Sequence, residues 1–212
     1  MLKYLTIPVT PFQQNCSLVW CDETLQAAVI DPGGDLDLLQ DAVKRLGLTL
    51  SQIWLTHAHI DHAGGTAELA SRLKLPIIGP HPGDQFWIDG LAEQSSRFGF
   101  PPSEPFVPNR WLFDGDTVQV GNCVLNVRHC PGHTPGHVVF HSPAIHRAFV
   151  GDVLFAGSIG RTDFPQGDHA TLIDSIVSRL WPMGDDTVFI PGHGPESSFG
   201  RERRSNPYVG GT

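Results

Sequence analysis

The chain has 212 residues and a formal net charge of −8, from 22 acidic residues against 14 lysines and arginines. That balance argues against general nucleic-acid binding, which requires a basic face. No segment approaches the roughly 18 consecutive apolar residues of a membrane span, and the first residues show no signal peptide. We therefore expect a soluble cytoplasmic protein that forms one globular domain over residues 1–212.

The four cysteines, Cys16, Cys21, Cys123 and Cys130, form no CxxC pair. A chain of this length can build a core that needs no covalent cross-links. We expect reduced thiols rather than a disulfide framework, in agreement with a cytoplasmic location.

Strands and helices alternate in the N-terminal half of the chain. Short apolar, partly β-branched segments predict strands at residues 2–7, 15–20, 26–30, 53–56 and 76–78. A helical stripe of leucine and valine predicts a helix with Asp35 as its N-cap and Gly47 just after its end. A second helix is predicted after Gly64-Gly65.

Residues 79–110 are irregular and rich in proline and aromatic residues. A helix over about residues 84–97 is predicted within them. Two interpretations of the rest stay open, a loop that covers an active site or a segment that only packs against the core.

Hairpins dominate the predicted C-terminal half. They pair residues 116–120 with 123–128, across Gly121-Asn122, and residues 137–141 with 146–150. Asp168 is predicted to cap a helix over about residues 168–181, and a last strand covers residues 187–190. Both halves thus share the same predicted order of elements, in which strands are followed by a helix and then by another strand. This pattern predicts an α/β (α+β) protein, a four-layer αββα sandwich of two mixed β-sheets flanked by helices.

The segment His57-Ala-His59-Ile-Asp61-His62 places four metal-binding side chains within six residues. It follows a predicted buried strand and precedes a predicted helix. Alternation along extended backbone lets His57 and His59 point to one side while Asp61 and His62 turn to another. Packing does not explain this density of ligand-type residues, so the segment predicts a metal site.

Three further predicted strands end in ligand-type residues, His133, Asp152 and His193. Rigid strands fix the residues that follow them, so sites gather where strand ends meet. Seven ligands exceed the four of a tetrahedral zinc and suit two divalent metals, one carboxylate bridging them. Imidazole and carboxylate accept zinc, which is favoured, or iron or manganese.

The other histidines stand alone in the sequence and are interpreted as structural, with His137 as a candidate support because it follows His133 closely. They are His81, His129, His137, His141, His146 and His169.

With these residues in place, the chain resembles the metallo-β-lactamase superfamily, whose hallmark is HxHxDH followed by a spaced His, Asp and His. The likeness runs from about residue 14 to about residue 208. It implies that one metal is held by His57, His59 and His133, the other by Asp61, His62 and His193, with Asp152 bridging. It also implies a structural or supporting role for Asp31.

Within that superfamily the chain resembles glyoxalase II and its short bacterial relatives. The stretches that carry this likeness are Ile30-Asp-Pro-Gly-Gly34, residues 56–65, Pro131-Gly-His-Thr-Pro-Gly-His137, Gly160-Arg-Thr-Asp-Phe164, Gly192-His-Gly-Pro195 and residues 201–208. The implied reaction is hydrolysis of S-D-lactoylglutathione to D-lactate and glutathione, in methylglyoxal detoxification. Longer relatives grip glutathione with an extra C-terminal helical domain, which we do not expect in this protein. The basic candidates for that grip are Arg161, Arg201, Arg203 and Arg204.

The resemblance implies that a metal-bridging hydroxide attacks the thioester carbonyl, with Asp61 orienting it as well as binding metal. The thiolate then leaves without strong acid assistance, since a thiol pKa is about 8.5. Hydrolysis of β-lactams is disfavoured because its usual bearers are exported. The expected partner is a small glutathione thioester, and whether the chain is a monomer or a homo-oligomer is left open.

Three other functions are weighed against this one. An iron-dependent persulfide dioxygenase of the same fold would use His57, His133 and Asp152 as a mononuclear facial site. A lactonase or a broad ester and thioester hydrolase would be favoured by a pocket too open for glutathione. A metal-dependent binding protein without activity is disfavoured by the presence of all seven ligand positions.

Overall fold

The computed structural model describes residues 1–211, and two mixed β-sheets form its centre. The first sheet has the order β1-β2-β3-β4-β5. Its strands span Leu2–Val9, Gln14–Cys21, Gln26–Ile30, Thr49–Trp54 and Ile77–Ile78. The pairs β1–β2 and β2–β3 are antiparallel, whereas β3–β4 and β4–β5 are parallel.

The second sheet has six strands in the order β13-β12-β9-β8-β7-β6. These are β6 Thr117–Val120, β7 Cys123–His129, β8 Val138–Ser142, β9 Arg147–Gly151, β12 Val188–Pro191 and β13 Ser197–Ser198. Within it only β9 and β12 run parallel among the described residues. A separate small hairpin joins β10 (Leu154–Phe155) to β11 (Ser158–Ile159).

Helices cover the outer faces of both sheets. They are α1 Leu36–Arg45, α2 Ile60–Ala63, α3 Thr66–Leu73, α4 Gln85–Asp89, α5 Leu91–Phe98, α6 His169–Ser175 and α7 Phe199–Ser205. A π-helical segment, Ile176–Leu180, and a 3₁₀ turn, Trp181–Met183, extend α6. In residues 1–211 no helix is both long and apolar enough to cross a bilayer.

Three apolar cores separate four layers. Between the sheets, Trp54 packs against Phe140 with ring centroids 5.5 Å apart. Outside the first sheet, Leu39 of α1 and Leu69 of α3 cover residues such as Leu18. Outside the second sheet, the α6 segment and α7 cover Val139, Phe189 and their neighbours. The predicted αββα sandwich of two mixed sheets is therefore confirmed.

At one end, Asn15 at the start of β2 ties the two sheets together. Its backbone N–H donates to the carbonyl of Gly192 at 2.7 Å. Its side-chain amide donates to the carbonyls of Pro191 at 3.0 Å and Gly194 at 2.8 Å. The loop that follows β12 is thereby fixed to the other sheet.

Several predicted boundaries are wrong in the N-terminal half. Asp35 stands at the N-cap position of α1, but its carboxylate accepts a hydrogen bond from the Thr10 N–H at 2.7 Å and does not cap the helix. β4 begins at Thr49, before the predicted strand, and ends at Trp54. The predicted helix over residues 84–97 is two helices, because it breaks at Gly90, a residue that weakens helices.

In the C-terminal half the two predicted hairpins and the cap are confirmed. The Asp168 carboxylate accepts from the Thr171 N–H at 2.7 Å, as an N-cap does. Not predicted were β10, β11, β13 and α7. α7 lacks an apolar stripe because its inner side buries a carboxylate, Glu202, that accepts from the N–H of Gly157 and the amide of Asn206.

Candidate metal centre

A short segment after β4 places four ligand-type side chains. The chain runs extended to His59, the N-cap residue of α2, and α2 then turns once over Ile60–Ala63. That change from extended to helical backbone separates His57 and His59 from Asp61 and His62. The loop 32–34 packs directly beneath, where a Cβ on Gly33 would lie 1.6 Å from the Asp61 carbonyl oxygen. Only glycine allows this approach.

The first cluster contains His57, His59 and His133, with one ligand-type atom of each within 4.8 Å of the others. His133 comes from the loop after β7 in the second sheet. Its Nε2 atom lies 3.0 Å from Nδ1 of His59. All three imidazoles are buried. Nitrogen atoms from both sheets therefore converge on one point.

The second cluster contains Asp61, His62 and His193, again within 4.8 Å. The Asp61 carboxylate lies 3.0 Å from His193 Nε2 and 3.7 Å from His62 Nε2. His193 follows β12, so this cluster also draws on both sheets.

Asp152 stands between the two clusters. Its Oδ1 atom is 3.3 Å from His62 Nε2, and its Oδ2 atom is 3.6 Å from His133 Nε2 and 3.8 Å from His193 Nε2. One oxygen faces the second cluster alone, while the other faces a histidine of each. The structure thus brings all seven predicted ligand residues together, with this carboxylate in the central position.

The donor atoms fit metal ions. Within residues 1–211, His57 Nε2, His62 Nε2 and Asp152 Oδ1 are buried and have no hydrogen-bonding partner. Buried polar atoms without partners are rare and costly. Three such atoms aimed at one space, in a nitrogen and oxygen donor set, are what a pair of divalent metals would satisfy.

Four of the histidines are oriented by hydrogen bonds at their other ring nitrogen. Nδ1 of His133 donates to the Arg161 carbonyl at 2.7 Å, and Nδ1 of His193 donates to the Phe12 carbonyl at 3.2 Å. His62 and His57 are held by Asp31 and Thr56. These bonds leave each Nε2 atom with a free lone pair, the form that binds metal.

Asp31, at the end of β3, organises the rear of the site. Its carboxylate accepts from the Thr56 N–H at 2.7 Å, the Thr56 hydroxyl at 2.6 Å and His62 Nδ1 at 2.9 Å. Because the Thr56 hydroxyl donates to Asp31, it accepts from His57 Nδ1, 3.0 Å away. One carboxylate thus positions a histidine of each cluster, which agrees with the supporting role expected of it.

Burial and neighbouring charges set the protonation of the site. Burial lowers the pKa of His57 and of His59 well below the usual value. The imidazole of His62 adds to this effect at His57, and that of His133 adds to it at His59. Burial also disfavours the cation at His62, but the carboxylates of Asp152 and Asp61 outweigh it and raise that pKa. Burial alone would raise the pKa of Asp152, but His62 and the other imidazoles hold it well below its usual range. His57 and His59 are therefore neutral beside an ionised Asp152 carboxylate, the form that binds metal, whereas His62 has to release a proton when a metal binds.

A family model described as Metallo-beta-lactamase superfamily matches residues 9–193. The chain belongs to this superfamily. A relative named hydroxyacylglutathione hydrolase GloC, from Haemophilus influenzae, is 46% identical over 204 residues, which cover 96% of each protein.

Two solved structures of the superfamily superpose closely on this one. BLEG-1, described as a B3 metallo-beta-lactamase, has a TM-score of 0.90 at 35% identity and covers 99% of this chain and 100% of its own. TTHA1623, described in a di-iron-bound form, has a TM-score of 0.88 at 37% identity and covers 97% of this chain and 100% of its own. The superfamily fold and the two clusters together imply a dinuclear metal centre, whose residues do not distinguish zinc from iron.

The metal centre of this superfamily member lies at the base of a cleft of about 860 Å³. Its walls are largely aromatic and come from the 10–13 turn, α4, α5 and the 155–165 segment: Phe12, Phe86, Trp87, Phe98, Phe155 and Phe164. The Trp87 ring packs edge-on against His59 with centroids 4.5 Å apart. Part of the irregular segment 79–110 therefore lines the cleft. Its aromatic residues were not predicted as site residues.

The four predicted basic residues fall in different places. Arg161 lines the cleft, where it donates to the Asp163 carboxylate at 2.6 Å and lies 4.3 Å above the ring of Phe164. Arg201, Arg203 and Arg204 belong to α7 and are not among the lining residues. Arg203 and Arg204 reach Asp185, at 3.6 and 3.9 Å.

Asp84 is a buried residue that supports the site, and this role was not predicted from the sequence. Its carboxylate accepts from the N–H of Ala58 at 3.0 Å, the N–H of Gly136 at 2.6 Å and the hydroxyl of Thr134 at 3.0 Å. Ala58 lies between His57 and His59, and Thr134 follows His133. Asp84 thus joins the two segments that form the first cluster, while burial raises its pKa to about 7.

Proposed function

We propose that this protein is a metal-dependent thioesterase that hydrolyses S-D-lactoylglutathione to D-lactate and glutathione. The observation that carries the proposal is a pair of metal-binding clusters, joined by Asp152, at the base of a cleft large enough for a tripeptide thioester. The name of the 46% identical relative, hydroxyacylglutathione hydrolase, supports the same substrate class. The reaction would serve methylglyoxal detoxification in the cytoplasm.

We assign the metal ligands as the geometry groups them. His57, His59 and His133 would hold one ion, Asp61, His62 and His193 would hold the other, and Asp152 would bridge. Zinc is the favoured metal, with iron and manganese as alternatives. Two bound divalent ions would supply an activated water at neutral pH and would neutralise negative charge on the substrate carbonyl oxygen.

The chain's own residues prepare this chemistry. Asp31 and the carbonyls of Arg161 and Phe12 fix the imidazoles, so little reorganisation is needed during reaction. The Asp61 carboxylate, 3.0 Å from His193 Nε2, is assigned a second role in this proposal, to orient the attacking water and take up its proton. Trp87 and Phe164 exclude solvent water beside His59. Water adds to the carbonyl, the C–S bond breaks, and glutathione leaves as a thiolate.

The deciding experiment combines metal analysis of the purified protein with thiol release from S-D-lactoylglutathione. We expect release that a chelator abolishes and that zinc, iron or manganese restores. Asp152→Asn is expected to lose both activity and metal, whereas Asp174→Asn, on the exposed side of α6, should keep both. No release from protein loaded with any of the three metals would overturn the proposal.

Two further assays on the same preparations separate the rival reactions. Oxygen uptake with glutathione persulfide by the iron form would favour the dioxygenase prediction, in which His57, His133 and Asp152 hold one iron. The similarity to BLEG-1 is the reason to assay a chromogenic β-lactam as well. Activity in either assay, without thioester hydrolysis, would replace the proposed function.

A further inference from the structure

One wall of the cleft carries two opposite charges on a single helix. Glu93 and Arg97 of α5 both line the cavity, and both side chains are exposed. Residues four apart in a helix lie on the same face, about 6 Å from each other. Opposite charges near the two ends of α5 suit its dipole. That role does not require either side chain to face the cleft.

α5 is held in a fixed relation to the metal centre. Gln94, on its buried side, accepts a hydrogen bond from the Ile60 N–H at 3.0 Å and donates to the Trp87 carbonyl at 2.8 Å. Ile60 lies between His59 and Asp61, which belong to different clusters. The Gln94 side chain therefore helps to fix the charged face of α5 relative to the proposed metals.

Neither charge is paired with an opposite charge within residues 1–211. There the Arg97 guanidinium lies 5.7 Å from the centre of the Phe98 ring, and no carboxylate lies within ion-pairing distance of it. Glu93 likewise has no ion-pairing cation among residues 1–211. By contrast, the other arginine of the cleft, Arg161, is already paired with Asp163. The unpaired arginine is the one available to a ligand.

An apolar surface connects this pair to the second cluster. His193 Nδ1 donates to the Phe12 carbonyl, and the Phe12 ring packs edge-on against Phe98 with centroids 6.4 Å apart. Phe98 is adjacent to Arg97. A ligand whose reacting carbon lies at the metals could therefore extend along Phe12 and Phe98 to the charged residues of α5.

We propose that Glu93 and Arg97 form a subsite for an α-amino acid group, the γ-glutamyl end of glutathione. That end carries one ammonium and one carboxylate on the same carbon. The Arg97 guanidinium binds the carboxylate through two parallel hydrogen bonds, and the Glu93 carboxylate accepts from the ammonium. This inference rests on the proposed function. It assigns the glutathione grip to α5 instead of to Arg161 or the arginines of α7.

The test compares two thioesters with the same acyl group. S-D-lactoylglutathione carries the γ-glutamyl end, and S-D-lactoyl-N-acetylcysteamine does not. We expect Arg97→Ala to raise KM about tenfold for the first, with kcat nearly unchanged, because one charge-assisted interaction is lost. Glu93→Gln should raise KM by a smaller factor, and Arg97→Lys should recover part of the affinity. For the truncated thioester all three variants should match the parent protein.

Arg201→Ala is the matched control, an exposed arginine outside the cleft lining. It should leave KM unchanged for both substrates. Equal KM effects of Arg97→Ala and Arg201→Ala would overturn the inference and leave the proposed function intact. An equal loss on both substrates would also overturn it, since α5 would then act by supporting the metal centre. If the parent protein hydrolyses neither thioester, the proposed function itself fails.

Discussion

The backbone N–H of Asp152 donates to His137 Nε2 at 3.0 Å, so His137 positions the carboxylate that lies between the two clusters. The His137 ring also stacks on His57, with centroids 4.6 Å apart. His137→Phe keeps an aromatic ring for the stack and removes the acceptor. We expect it to weaken metal binding by roughly ten- to a hundredfold, as supporting residues of metal sites do.

Competition with a graded series of chelators would measure that change, with His146→Phe, an exposed histidine beyond the site, as the control. Metal retention by His137→Phe equal to that of the control would show that the hydrogen bond to Asp152 is dispensable.

Asp61→Ala should affect the second cluster more than the first. Asp61 belongs to the second cluster with His62 and His193, whereas the three histidines of the first cluster remain in this variant. We expect the metal-to-protein ratio to fall toward one and thioester hydrolysis to fall at least about tenfold. Elemental analysis and initial rates check both. An unchanged metal content together with an unchanged rate would rule out the two-metal mechanism.

Asp84 should make stability depend on pH. Burial raises its pKa to about 7 in the folded protein, against 3.8 when exposed. Between these values the folded chain retains a proton that the unfolded chain has lost, so its contribution is fully present below pH 4 and is lost as pH rises through about 7. The difference of roughly three pH units corresponds to about 4 kcal/mol of unfolding free energy.

Asp84→Asn removes this titration. It also places an amide NH₂ group next to N–H and hydroxyl groups that donate hydrogen bonds to the carboxylate in the parent protein. In chelator-treated protein, urea unfolding at several pH values should show a flatter curve for the variant than for the parent across that window. Parallel curves would show that Asp84 does not titrate between pH 4 and 7.

Gly192→Ala should disrupt the metal site by steric overlap alone. A Cβ atom there would lie 2.0 Å from Asp152 Oδ1 and 2.6 Å from His62 Cε1. We expect loss of metal and of activity while far-ultraviolet circular dichroism stays normal. Gly99→Ala is a useful control, because its Cβ would meet no atom of residues 1–211 within 4 Å and only its φ of +71° adds strain. A variant at Gly192 with normal metal content would contradict the packing described.

The seven clustered residues could be predicted because their chemistry is local and unusual. Three histidines and an aspartate within residues 57–62 have no packing explanation, and His133, Asp152 and His193 each follow a recognisable strand. The αββα order was likewise readable from hydrophobic periodicity. The role of Asp35 was not, since its carboxylate accepts from the distant Thr10 N–H. The break at Gly90 was missed, although glycine weakens helices.

The residues around the ligands were harder to predict. A helix near residues 84–97 was expected, but which of its faces meets the cleft depends on contacts with distant segments, such as the core packing of Leu91 and the hydrogen bond between Gln94 and Ile60. Asp84 looks like an ordinary turn residue until the loop with Thr134 folds over it. The arginines after residue 200 were predicted as a binding group, and the structure places them on α7, outside the lining of the cleft.

The tie that Asn15 makes across the sheets has a consequence for the lifetime of the protein. Each proposed metal would take ligands from both halves of the chain. A bound ion would therefore link the same two sheets that Asn15 connects by hydrogen bonds. Binding to the folded state alone stabilises it by mass action, by about 4 kcal/mol at a thousandfold excess over Kd. Without that contribution the two sheets would separate more often at this end, which would expose the chain to proteases. Metal supply would then govern the abundance of the protein as well as the fraction of it that is active.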